Sequence, residues 1–147
     1  QQRTWDLQFH HLTQNFKEIS MAKMELIYYY KVKEITKIVD GDTVDLLVDV
    51  GFDLSLEIRV RLSGINAWES RTRNLAEKKK GLAAKARLKE MCQTAFDKGT
   101  LTIKTTEKGK YGRYIGILYA GYRSLNDAMV KEGHAHLYDG GKRKKFG

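Results

Sequence analysis

The stretch TVDLLVDVGFDLSLEIRVRL, residues 43–62, alternates apolar and polar side chains in two runs. Residues 43–50 place valine or leucine at every second position, and residues 56–62 repeat the pattern. Successive side chains of a strand point to opposite faces, so a period of two predicts two strands, each with one buried face. Arg61 falls on the polar face of the second strand, near its end.

Strand signals continue on both sides of this pair. Three further segments predict strands because they are rich in Tyr, Val and Ile and bounded by turn residues: 26–39, 101–106 and 114–119. A Gly-Asp turn at 41–42 joins the first of them to the opening pair. A glycine-containing loop at 109–112 joins the last two as a hairpin.

Two helices complete the pattern. The first carries one apolar face, made by Ala84, Leu88, Met91, Cys92 and Ala95, and ends at Gly99. The second opens at Ser124 and ends at Gly133. Residues 70–80 are interpreted as a polar, basic connection before the first helix. The order predicts a mainly β fold with helices (α+β): a five-stranded OB-fold Greek-key barrel with two to three helices.

Composition limits the classes of partner. The 147 residues carry 27 Lys and Arg against 18 Asp and Glu, a formal net charge of +9, which favours a polyanionic partner. A single cysteine excludes an intrachain disulfide, and Cys92 is interpreted as a buried structural thiol. Neither a membrane span nor an obligate protein partner is evident.

The N-terminal part forms a segment of its own. We divide the chain into an extension at 1–22 and a domain at 23–147. The extension has apolar residues at helical spacing, which leaves two interpretations open, an amphipathic helix or a loose leader. It lacks a signal-peptide pattern, which favours a cytoplasmic or virus-associated protein over a secreted one.

Three short segments carry the polar residues with chemical interest. They are Asp40-Gly41-Asp42-Thr43, the run RLSGINAWE at 61–69, and Lys110-Tyr111-Gly112-Arg113. Taken singly, each segment has an ordinary structural interpretation without a functional role: a hairpin turn, an exposed Arg–Glu pair and a basic turn, respectively.

In this order and strand context, the three segments resemble the staphylococcal nuclease (thermonuclease) family, over about residues 30–138. The resemblance implies an OB barrel with hydrolase activity. It implies an endonuclease that cuts DNA and/or RNA with little sequence specificity, depends on Ca²⁺ and leaves 3′-phosphate ends.

The resemblance also implies roles for individual residues. Catalytic roles fall to Arg61, Glu69 and Arg113, metal ligation to Asp42, Asn66 and Ala67, and substrate binding to Lys110 and Tyr111. Asp40 resembles a residue near the metal. Arg71 and Arg73 are added as substrate-binding residues because their basic connection lies beside Glu69.

Three positions depart from the family pattern, and at one of them Gly109 replaces the acid before the Lys-Tyr-Gly-Arg stretch. Asn66 replaces an acid, which removes a negative charge, lowers the expected affinity for the cation and admits Mg²⁺ or Mn²⁺ in place of Ca²⁺. Trp68 replaces a proline and either packs or offers a base-stacking surface. Asn66 also motivates an alternative: a weakened or inactive nucleic-acid-binding OB module.

Overall fold

A computed structural model describes residues 28–142 and 144–146. The predicted extension and its boundary at residue 22 lie outside this range. The elements, in chain order, are β1 (Tyr28–Asp40), β2 (Thr43–Gly51), β3 (Leu54–Leu62), β4 (Ile65–Ala67), α1 (Leu75–Asp97), β5 (Leu101–Lys108), a 3₁₀ turn (Lys110–Gly112), β6 (Tyr114–Ala120), β7 (Arg123–Ser124), α2 (Leu125–Lys131) and β8 (Ala135–Leu137).

Five strands form a closed barrel. The main sheet runs β3-β2-β1-β5-β6, with the two-residue β7 at its edge, and a parallel pairing of β3 with β6 closes it. Apolar side chains from alternate positions of these strands fill the interior, including Val44, Leu46, Ile103 and Leu118, all fully buried. The predicted α+β fold, a five-stranded barrel with two to three helices, is therefore confirmed, and the described residues form two α-helices.

The long helix α1 packs against the barrel through its buried face. Asn74 caps its start, because the Asn74 side chain accepts hydrogen bonds from the backbone N–H groups of Ala76 and Glu77, both at 3.1 Å. Cys92 lies on this face, and burial raises the pKa of its thiol to about 12, as befits a structural residue.

Two sequence predictions were wrong in detail. The helix starts at Leu75, so Lys78 to Lys80 belong to its first turns and the basic connection is shorter than 70–80. Leu56, predicted to face inward, is 48% exposed. It lies toward the tip of the β2–β3 hairpin, whereas burial along β3 begins at Ile58.

A second, two-stranded sheet pairs β4 with β8 and was not predicted. Strands of three residues are too short to show a period of two. Neither of the α-helices in the described part of the chain has the length and apolar character of a membrane span.

Asn126 connects α2 to the barrel. Its side chain is buried; its Oδ1 accepts from the backbone N–H of Leu118 at 3.2 Å, and its Nδ2 donates to the carbonyls of Ser63 and Gly116 at 3.0 and 3.2 Å. One side chain thus satisfies backbone groups of the β3–β4 loop and of β6.

We predict that Asn126→Ala lowers the free energy of unfolding by about 3 kcal/mol, because it removes the hydrogen bonds to the Leu118 N–H and to the Ser63 and Gly116 carbonyls. Urea unfolding measures this. The control is Asn74→Ala, the loss of an exposed helix cap, which should cost about 1 kcal/mol. Equal costs for both variants would contradict the bridging role of Asn126.

Candidate functional site

One groove at the rim of the barrel collects most of the residues singled out in the sequence. Its volume is about 750 Å³. The β1–β2 turn, the end of β3, β4, the loop after β4, the β5–β6 connection and the segment after β8 all contribute. The lining includes Asp40, Asp42, Thr43, Arg61, Asn66, Glu69, Arg71, Lys110, Arg113 and Tyr138.

Asp42 lies at the base of the groove with 4% of its surface exposed. The β1–β2 turn places it there. Its Oδ1 accepts a hydrogen bond from the Thr43 hydroxyl at 2.9 Å, and its Oδ2 accepts one from the backbone N–H of Ala67, also at 2.9 Å. Its backbone carbonyl accepts the N–H of Leu62 at 2.8 Å. The carboxylate thus ties the turn to β4.

Arg61 projects from the polar face of β3 toward this carboxylate. Its Nη2 lies 3.4 Å from Asp42 Oδ2 and donates a hydrogen bond to Asn66 Oδ1. The guanidinium carbon stands 5.9 Å from the centre of the Tyr138 ring. The cation is therefore held between a carboxylate, an amide oxygen and an aromatic face.

Asn66 and Ala67 belong to the short strand β4. Both are almost fully buried, and the pairing of Asn66 with His136 of β8 fixes the strand in place. The amide oxygen of Asn66 and the carboxylate of Asp42 both contact the same nitrogen of Arg61, Nη2. Within the described part of the chain, no group of three or more His, Cys, Asp or Glu side chains is placed to hold a metal.

Glu69 is half-buried and lines the same groove. Its backbone packs on α1 at Gly81, where an added Cβ would lie 2.5 Å from the Glu69 carbonyl oxygen. The neighbouring Ser70 hydroxyl donates to Asp40 Oδ1. The loop that carries Glu69 is thus held by both α1 and the end of β1.

The β5–β6 connection brings a second arginine to the groove. Lys110 and Arg113 line it, and the Arg113 side chain donates to the Lys110 carbonyl at 3.5 Å. Tyr111 adopts a left-handed conformation (φ 61°), is 89% exposed and does not line the groove. Instead, its ring centre stands 5.6 Å from the guanidinium carbon of Arg113.

The remaining arginines differ in their position and partners. Arg71 lines the groove, whereas Arg73 is exposed and lies outside the lining. Arg59 also lines the groove, but it binds Asp45 through two hydrogen bonds of 2.7 and 2.8 Å. These bonds lower the pKa of the Asp45 carboxyl. The charge of Arg59 is therefore already compensated by a carboxylate.

Trp68 packs rather than lining the groove. Its ring centre lies 5.2 Å from that of His136 and 5.0 Å from that of Phe146. The structure also adds Tyr138, which the sequence analysis did not select. Tyr138 lies in no recognisable motif, and only its tertiary position beside Arg61 reveals it.

Comparison with known proteins gives one family match and two curated relatives. The family model described as Staphylococcal nuclease homologue matches residues 59–146. "Micrococcal nuclease" of Shigella flexneri is 31% identical over 114 residues, which cover 71% of this chain and 57% of that protein. "Protein ParB" of Escherichia coli is 30% identical over 114 residues, covering 71% and 56%. The chain spans a little over half the length of these curated relatives.

A closed five-stranded barrel with charged side chains converging at its rim defines a protein of the OB-like α+β class. The match with the family model extends over more than half of the sequence. The chain belongs to the staphylococcal nuclease family.

We predict that Gly81→Ala destabilises the protein, although alanine is the better helix former by about 1 kcal/mol. The added Cβ would meet the Glu69 backbone and push it from the groove. The control is Ala83→Gly, which makes the opposite substitution at an exposed position of α1. Its effect on urea unfolding measures the contribution of helix propensity alone. A stabilised Gly81→Ala protein would show that this packing does not hold Glu69.

Proposed function

We propose that this chain is a metal-dependent endonuclease that hydrolyses phosphodiester bonds in DNA and/or RNA with little sequence specificity. One observation carries the proposal: Asp42, Arg61, Glu69 and Arg113 come from four separate segments and line one groove. A surface formed only for packing would have no physical reason to gather two carboxylates and two guanidiniums there.

The arginines account for phosphate binding. A guanidinium offers paired N–H groups that match two phosphate oxygens. Arg61 reaches the groove from β3 and Arg113 from the β5–β6 connection, so they would hold a phosphate from two sides. Lys110 and Arg71 add positive charge along the path of the nucleic-acid backbone. Tyr111, exposed above Arg113, would contact a nucleotide at the entrance, and the more distant Arg73 would contact flanking phosphates.

Glu69 would activate the nucleophile, a water molecule. A carboxylate within hydrogen-bond reach of a water can accept its proton as the water attacks phosphorus. The charge that develops on the phosphoryl oxygens would be stabilised by N–H donors of Arg61 and Arg113. The leaving oxygen needs a proton donor or a nearby cation, and Arg113 is the group we assign to it.

The donor set fits a hard divalent cation. Asp42 offers a carboxylate, Asn66 an amide oxygen and Ala67 its backbone carbonyl, all oxygen ligands of the kind Ca²⁺, Mg²⁺ and Mn²⁺ prefer. When bound, such an ion would supply positive charge beside the phosphate and lower the pKa of a water. Arg61 occupies Asn66 Oδ1 in the structure, so it would release that oxygen and turn its Nη2 toward the phosphate.

A second function draws support from the same contact. Because Asn66 is neutral, Arg61 alone pairs with the Asp42 carboxylate and donates a hydrogen bond to the Asn66 amide oxygen, so neither group needs a metal ion as a partner. A chain that kept this arrangement would bind nucleic acid through its cations and cleave it slowly or not at all. The two functions differ in the rate of cleavage after a divalent metal is added: the nuclease cleaves nucleic acid, whereas the binding module cleaves it slowly or not at all.

We predict that Glu69→Gln lowers kcat by about 10²- to 10⁴-fold, since the amide cannot accept the proton. We expect Arg113→Ala to lower it by about 10²- to 10³-fold through loss of charge stabilisation. Cleavage of a labelled single-stranded DNA with Ca²⁺, Mg²⁺ or Mn²⁺ measures both variants.

Matched controls are Glu57→Gln and Lys98→Ala, which change exposed side chains that do not line the groove. Both controls should retain wild-type kcat. If Glu69→Gln and Arg113→Ala cleave as fast as the controls, the groove is not the active site.

We predict that Asn66→Asp raises the affinity for Ca²⁺ at least tenfold, because a second carboxylate adds a charge worth about 4 kcal/mol at ~4 Å and an effective dielectric of ~20. Calorimetric titration of the protein without nucleic acid measures it. Asn74→Asp places the same charge at the cap of α1, outside the groove, and should leave the affinity unchanged. Equal affinities for both variants would refute a cation site at Asn66.

A further inference from the structure

An aromatic and basic strip lies on the outer face of the barrel, beyond the groove. We define the outer strip as Tyr29 of β1, Lys104 of β5, and Ile117 and Tyr119 of β6. Register shows that these side chains share a face: Tyr29 pairs with Lys104, and Lys104 pairs with Ile117. Residues paired directly across an antiparallel ladder point to the same side.

The opposite face of the same strands is the core. Ile103 and Leu118, which alternate with the residues of the strip, are fully buried. The strip therefore faces outward. Tyr29 is 54% exposed, whereas Lys104 and Tyr119 are partly exposed.

Ring and charge contacts organise the strip. The ring centres of Tyr29 and Tyr119 are 5.9 Å apart at an interplanar angle of 52°. The Lys104 ammonium stands 5.7 Å from the centre of the Tyr29 ring. Adjacent aromatic faces with a cation beside them are the features on which bases of a single strand stack while their phosphates are neutralised.

The strip is continuous with the groove along β6. Ile115 lines the groove, Ile117 is two residues further on the same face, and Tyr119 is two more. At about 3.3 Å per residue, four residues span roughly 13 Å. OB folds cover ~4–16 nucleotides, so a strand toward the upper end of this range would continue from the groove over neighbouring surface.

We propose that the outer strip is a second nucleic-acid subsite, on which bases of a single strand stack after the strand leaves the groove. The charge favours this occupant, since Lys104 and the net charge of +9 attract a polyanion. The proposal rests on the proposed function only in that the groove holds the same strand. Stacking on the strip requires neither a metal nor cleavage.

The test is a binding titration of the full chain in chelator, followed by fluorescence anisotropy. The probes are oligothymidylates of about 4 and about 16 nucleotides, which bracket the site sizes of OB folds. The variant Tyr29→Leu/Tyr119→Leu keeps apolar bulk but removes the rings. The control Tyr29→Phe/Tyr119→Phe keeps the rings and removes only the hydroxyls.

We expect the leucine variant to bind the longer probe about tenfold more weakly, as loss of base stacking predicts, and the short probe unchanged. The phenylalanine variant should bind both probes like the wild type. A longer probe without bases should bind the wild type and the leucine variant equally, because neither can stack it.

Three results would overturn the subsite: wild-type binding of the longer probe by the leucine variant, equal losses in the phenylalanine variant, or an equal loss with the abasic probe. Equal losses in the phenylalanine variant would mean that the hydroxyls, and not the rings, contribute the binding. An equal loss with the abasic probe would mean that the rings only stabilise the sheet. If the leucine variant does not fold, Lys104→Ala provides the test: it should lower the slope of log affinity against log salt by about one for the longer probe only. An unchanged slope would also overturn the proposal.

Failure of the proposed function has a separate signature. The wild type would then not cleave the short probe with any metal, whatever the longer probe does in chelator. Conversely, if the subsite is wrong and the function right, the short probe is cleaved while the leucine variant binds the longer probe normally.

Discussion

The contacts of the Asp42 carboxylate hold together the segments that form the site. The carboxylate is buried, and it accepts hydrogen bonds from the Thr43 hydroxyl and the Ala67 backbone while it lies 3.4 Å from Arg61. These contacts join the β1–β2 turn, the end of β3 and strand β4. A buried charge needs such partners, because its desolvation would otherwise cost several kcal/mol. The same contacts position the residues that form the base of the groove.

The neutral amide of Asn66 changes the balance of charge around this carboxylate. Arg61 binds Asp42 and Asn66 together and rests on the ring of Tyr138. An acid at position 66 would give this guanidinium a second negative partner and give a cation a second charged ligand. In the proposed function, the arginines would still bind phosphate, whereas the loss of one charged ligand would lower the affinity of the groove for a divalent ion. The two proposed functions, an active nuclease and a protein that only binds nucleic acid, differ in whether the groove still uses a bound cation.

Periodicity explains how much of the fold was predictable from sequence. The two runs at 43–50 and 56–62 alternate because one face of each packs in the barrel, and the glycines at the helix ends mark real termini. The start of α1 was missed because lysines at 78–80 suggested a loop. Asn74 followed by Glu77 three residues later was the signal that could have placed it. Strands β4 and β8 could not be predicted, since three residues show no period.

Only those groove residues that lie in a recognisable sequence motif could be predicted from the sequence. Asp42, Arg61, Glu69 and Arg113 lie in recognisable segments, and the structure brings them together. Tyr138 and the bridging amide of Asn126 lie in no motif, and their roles arise from contacts with residues distant in the chain. Tyr111 and Arg73 are outside the groove lining, because position in a turn or loop does not fix the direction of a side chain.

In the proposed function, the groove cleaves phosphodiester bonds with the help of a divalent cation. The most direct measurement incubates the wild-type chain with single- and double-stranded DNA and RNA in chelator, Ca²⁺, Mg²⁺ or Mn²⁺, and analyses the ends of the products. We predict internal cleavage with at least one cation, products ending in 3′-phosphate, and no cleavage in chelator. Tight binding of the same nucleic acids without cleavage under any of these conditions would contradict the proposed nuclease activity.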